Sequence, residues 1–87
     1  MADELTADEI AAHFSAMDDS VTLINATVAD DTDALEMYGD AAEVKLMVTR
    51  NTDHLEIQAA TDWYSDSSKT KTPYTGAVTA GKAYVAG

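Results

Sequence analysis

The side chains able to do chemistry in this chain are few and scattered. Glu9 and His13 stand four residues apart, which puts both on one face of a helix. Joined by His54, the only other histidine, and one more carboxylate, they would make a zinc ligand set. No His-Glu-x-x-His spacing accompanies them, and no second shell is evident. The expectation is an exposed pair on an acidic face. Ser15, Ser20, Ser65, Ser67 and Ser68 lack the glycine-flanked turn of a nucleophile elbow. Gly76 and Gly81 are too sparse to cradle a phosphate. Asp30-Asp31-Thr32-Asp33 has the acid density of a calcium loop but lacks its glycine and its terminal bidentate glutamate, so it reads as a solvated loop. No carboxylate pair falls in an evident apolar pocket, so general acid–base work has no candidate. No cysteine is present, which excludes a disulfide and a thiolate metal site. The sequence therefore argues against an enzyme, a cofactor and a metal.

What remains are side chains suited to contact. The candidates for partner binding are Leu46, Ile57, Trp63, Tyr64 and Tyr74. Leu46 and Ile57 project away from the main apolar stripe of their segment. Trp63 and Tyr64 come directly after it, and aromatics of this kind serve as interface anchors, although Trp63 closing the small core fits equally well. Tyr74 reads as a loop contact and Tyr84 as core. Asn51 lies on an apolar seam, as a buried polar residue that sets register or as part of a contact stretch.

The elements that must position these residues are helices. Thr6-Ala7-Asp8-Glu9 is a capping box, with Leu5 before the cap and Ile10 at N4 as a hydrophobic staple. From there Ile10, Phe14, Met17, Val21, Ile24 and Val28 recur at steps of four and three, with Leu23 widening the seam. This predicts a helix from about Thr6 to about Ala29. Thr32 or Asp33 can cap a single turn over Ala34–Tyr38, which Gly39 ends. Asp40 can cap the next element. Residues 41–61 have two readings. As a helix, Val44, Val48, Asn51 and Leu55 share one direction, flanked by Met47 and Gln58, while Leu46 and Ile57 lie opposite, so both sides should be covered. As a hairpin, Val44, Leu46 and Val48 alternate, Asn51-Thr52-Asp53 turns, and Leu55, Ile57 and Ala59 return. Length, the Asp40 cap and the absence of Gly and Pro favour the helix. Residues 62–73 read as a polar loop. Thr72-Pro73 then suits a cap with proline at N1 of a short helix carrying Tyr74, Ala77, Val78, Gly81, Tyr84 and Val85. The fold class expected is all-α, one domain over residues 1–87, a small three-helix arrangement of two longer antiparallel helices and a short C-terminal one.

Bulk properties narrow the partners. At 87 residues the core is marginal, and oligomerisation or docking onto a larger body is a common support for a chain of this size. The net charge is −11 and uneven: residues 1–43 hold 12 of the 16 acidic groups and no base, whereas residues 44–87 carry +1. The first half repels phosphate and anionic lipid, which argues against direct binding to nucleic acid. Its acids read as a solubilising face, with a surface for a basic partner or an acidic decoy of DNA as the sharper readings. The opening MADELTADEI has neither a basic nor an apolar signal region, and no window holds 18 apolar residues, so neither secretion by a signal nor a membrane span is expected.

The stretch Val48-Thr49-Arg50-Asn51-Thr52-Asp53-His54-Leu55-Glu56-Ile57, with Asp62-Trp63 and Ala80-Gly81-Lys82-Ala83-Tyr84-Val85-Ala86 after it, resembles small helical proteins encoded by tailed bacteriophages. The resemblance covers the C-terminal half. It implies a helical fold and a phage setting, in the virion or the host cytoplasm, where small helical chains serve as capsid, neck or tail components. It carries no functional residue across. The expectation is a non-enzymatic structural or assembly protein that associates with other virion proteins or with itself. The alternative is an acidic regulator or inhibitor of a host protein, including a DNA mimic.

Overall fold

The computed structural model describes residues 5–87 and contains five helices: α1 (Ala7–Ala29), α2 (Thr32–Tyr38), α3 (Ala41–Ala59), α4 (Asp62–Asp66) and α5 (Thr72–Ala86). No strand occurs among the described residues, so the hairpin reading of 41–61 gives way to a continuous helix. Local signals explain most boundaries. The Thr6 hydroxyl accepts from the Glu9 amide at 3.1 Å, and the Thr6 amide donates to Glu9 Oε1 at 2.8 Å, which closes the capping box. Gly39 ends α2 at φ 93°, a left-handed conformation that a glycine enters without a Cβ penalty. Asp40 then opens α3 by accepting from the Glu43 amide at 2.9 Å.

Three boundaries differ from the sequence reading. α2 starts at Thr32, not Ala34, and neither Thr32 nor Asp33 caps it. Instead the Asp30 carboxylate accepts from both the amide and the hydroxyl of Thr32, at 3.0 and 2.6 Å. Residues 62–66 are helical rather than loop, because burying Tyr64 rewards a turn that polar residues alone would not hold. α5 starts at Thr72, with Lys71 as the flanking residue, since the Tyr74 and Thr75 amides both reach the Lys71 carbonyl.

The long helices run up, down and up. Ser20 of α1 meets Asn51 and His54 of α3, Leu55 late in α3 packs in the cluster of Phe14 early in α1, and Val44 early in α3 packs under α2, while Tyr74 of α5 reaches Asp18 of α1 and Tyr84 reaches Asp31 just past the end of α1. Thus α3 is antiparallel to α1 and α5 is parallel to it. The rod measures 45 × 20 × 15 Å. Its radius of gyration of 14.2 Å exceeds the ~12 Å of a compact chain of this length. Such elongation divides the core. One end packs Phe14, Met17, Ile24, Leu55, Tyr64, Tyr74 and Ala77. The other packs Val44, Met47 and Val48 under Ala34, Leu35, Tyr84 and Val85. α2 thus acts as a cover for the aliphatic end.

The buried face of α1 swings along its length. Phe14, Met17, Ser20, Ile24 and Thr27 are buried, whereas Val28, expected on the seam, is 41% exposed, and Leu23 is exposed too. The heptad pattern describes a straight stripe, but α1 lies along both α3 and α5 and also meets α4 at one end and α2 at the other. Thr27 can enter the interface because its hydroxyl donates to the Leu23 carbonyl at 2.8 Å and leaves a small methyl outward. No described helix is long and apolar enough to cross a membrane.

Candidate functional site

Ser20 and His54 are the one pairing among the described residues that resembles catalytic chemistry. Ser20 Oγ lies 2.9 Å from His54 Nδ1 and 2.9 Å from Asn51 Oδ1. The amide end of Asn51 is occupied, since Nδ2 donates to the Met47 carbonyl at 2.9 Å. Its Oδ1 must therefore accept the single Ser20 proton. Ser20 in turn accepts from His54, so Nδ1 carries a hydrogen and cannot act as the base that activates the serine. The trio is a polar clasp across α1 and α3. Asn51, left open between a buried polar residue and part of a contact stretch, is half-buried and hydrogen-bonded within this clasp. His13 and Glu9 do not come together as ligands either: Glu9 is engaged in the cap, and His13 stacks on Trp63 at 5.2 Å. Among the described residues no group of three or more His, Asp or Glu side chains could hold a metal. The Glu9 carboxyl sits below its ordinary range because the Thr6 amide and hydroxyl bond to it, not because a metal site draws it down.

The five candidate contact residues separate into three environments. Leu46 and Ile57 are exposed on the outer face of α3, at 40% and 65%. The expectation that both sides of this helix would be covered is thereby corrected: α1 and α5 cover one side and solvent meets the other. Tyr64 and Tyr74 are 6% and 2% exposed and belong to the core, so they are not surface anchors. Their rings pack against Phe14 at 6.0 and 5.7 Å and against each other at 6.1 Å. Tyr74 can be buried because its hydroxyl finds an acceptor, Asp18 Oδ1, at 2.6 Å. Burial first, and the Asp18 carboxylate second, raise the Tyr74 phenol well above its ordinary pKa. Tyr84, read as core, is half-buried and donates to Asp31 at 3.0 Å. Nothing in the spacing of Tyr74 and Tyr84 distinguished them. The signal lay in Asp18, whose reach to Tyr74 depends on how α5 sits on α1.

Trp63 is the third environment. It meets Phe14 edge-on at 5.3 Å, takes the His13 ring on one face, and is otherwise half-buried. It lines an open groove of about 1040 Å³ between the first half of α1 and the α4 region. Leu5, Ile10, Phe14 and Trp63 form its apolar floor, while Asp18, Asp62, Asp66 and Lys69 stand along its rim. The segment after α4 straps over the aromatic cluster: Lys69 sits 5.1 Å from the Phe14 ring centre and 3.9 Å from Asp18, and Lys71 sits 5.4 Å from the Tyr64 ring centre. Sequence reasoning named Trp63 but missed this groove, because its walls come from segments some fifty residues apart.

Compared with known proteins, the chain matches no family model, no curated protein and no solved structure.

Proposed function

We propose that this protein is a non-enzymatic interaction module, a minor component of a bacteriophage particle that docks onto larger capsid, neck or tail proteins. The observation that carries the reading is the outer face of α3. Leu46 and Ile57 are eleven residues apart, so they project within about 20° of one another, and Arg50 and Asp53 lie between them on the same stripe. Single exposed apolar residues are ordinary on a protein surface. Two large ones aligned on one helix, with a charge of each sign between, have the pattern of a helix that lies in a partner's groove. The likeness of the C-terminal half to small phage proteins supplies the setting, and the acidic first half keeps the contact away from nucleic acid and membrane. No cofactor is needed.

Size exclusion of the chain alone, and mixed with the capsid, neck and tail proteins of the same particle, tests this. Co-elution with one of them is expected, and Leu46→Asp together with Ile57→Asp should abolish it without unfolding the chain, since both side chains already face water. A folded monomer that co-elutes with none of them would overturn the proposal.

A further inference from the structure

The groove beside Trp63 is chemically distinct from the α3 stripe and shares no residue with it. Its volume of about 1040 Å³ lies at the upper edge of small-molecule pockets, and it stands open to solvent rather than enclosing what enters it. An open trough of this kind would leave a metabolite largely hydrated. Along α1 it runs from Leu5 to Asp18, about 20 Å at 1.5 Å per residue, the length of a helix of about 13 residues. The floor is apolar. Of the four charged residues along it three are acidic, and among the described residues neither Asp62 nor Asp66 has an ion-pair partner. Lys69 is already turned to Asp18 and the Phe14 ring.

We infer that the groove takes a basic amphipathic helix of a partner protein, with its apolar residues on Ile10 and Trp63 and its Lys or Arg side chains on Asp62 and Asp66. Charge complementarity selects the sign of the occupant. A second copy of this chain is disfavoured: each copy brings −11 of net charge, and the first half has no base to offer the rim. The apolar floor separates this site from a merely acidic patch, which would hold any polycation equally well.

Trp63 is the only tryptophan, so its fluorescence reports on the groove directly. A synthetic helix with leucines on one face and lysines on the other should shift Trp63 emission saturably, with an affinity that falls as salt rises. The same helix with glutamates for lysines should not bind. Asp62→Asn with Asp66→Asn should weaken binding roughly three- to tenfold, and Glu36→Gln, exposed on α2 and outside the groove, should leave it unchanged. Ala11→Lys places a long cation at an exposed groove position, where it should fold as the parent does and abolish the shift. The Leu46 and Ile57 variants should bind the peptide normally, so failure here and failure of the α3 reading are separately visible. Four outcomes overturn the inference: no emission change, equal binding of the acidic helix, equal binding of polylysine, or an emission change that depends on protein concentration without peptide, which would place a second copy in the groove.

Discussion

Gly81 of α5 lies directly against Thr52 of α3: a Cβ built on the glycine would collide with the threonine hydroxyl and touch Ile24 Cγ2 at 3.4 Å. The backbone of α5 lies close on α3 at this point, with no room for a side chain between them. The Thr52 hydroxyl is buried there without a hydrogen-bond partner among the described residues. Gly76, five residues earlier on the same helix, has nothing within 4 Å of its would-be Cβ.

Alanine at the two glycines should consequently have opposite effects. Gly76→Ala should stabilise the chain by up to about 1 kcal/mol through helix propensity alone. Gly81→Ala should destabilise it by about 1–3 kcal/mol, because overpacking outweighs that gain. Thr52→Ala removes the obstacle, so the Gly81→Ala/Thr52→Ala pair should be more stable than the sum of the single changes by about 1 kcal/mol or more. Urea midpoints of the four variants check this, and additivity would refute the contact.

The Ser20 clasp makes a second prediction. Ser20→Ala leaves Asn51 Oδ1 without a donor and His54 Nδ1 without an acceptor in a half-buried interface, and should cost about 1–3 kcal/mol. The same geometry says that Ser20 is no nucleophile. A serine-directed phosphonate should leave the folded chain unlabelled, and stoichiometric labelling of Ser20 would show that the hydrogen bonds of the clasp run in the reverse direction.

Alkaline unfolding should centre on Tyr74. Its folded pKa is raised, by burial and then by the Asp18 carboxylate, so its contribution is complete below the ordinary phenol value of about 10 and is lost as pH rises towards the folded value. Tyr64 shifts in the same direction through burial alone. Thermal melts should lose stability above about pH 10, with tyrosinate absorbance rising together with unfolding rather than before it. Tyr74→Phe should be less stable at neutral pH, yet lose less on going alkaline.

At acid pH the cap of α1 should respond. The Glu9 pKa is lowered, chiefly by the bond from the Thr6 amide, so its contribution is present above the ordinary carboxylate value and disappears as pH falls through the lowered one. Glu9→Gln preserves the reciprocal cap and should flatten that part of the pH profile. Thr6→Ala should cost about 1 kcal/mol at neutral pH. Amide exchange in the first turn of α1 reads both variants locally.

Much of this architecture is legible in the order of residues alone. The capping box at Thr6, the apolar recurrence from Ile10 to Ile24, the Gly39–Asp40 break and the Pro73 start each act within one or two helical turns. Sequence by itself therefore determined the first helix, the break before the second and the start of a short C-terminal one, and it favoured a helix over a hairpin for residues 41–61, with Leu46 and Ile57 apart from the stripe of Val44, Val48 and Leu55. Tertiary structure decided the rest. It exchanged Val28 for Thr27 at the end of α1, buried Tyr64 and Tyr74, oriented Ser20 so that it cannot be activated, and folded Asp62–Asp66 into a helix. The physical reason is the same in each case. A helix stripe says which residues seek cover, but the swing of one helix across its neighbours says which of them receive it. The Trp63 groove is the clearest instance: its lining residues come from both halves of the chain, and only packing brings them to one place.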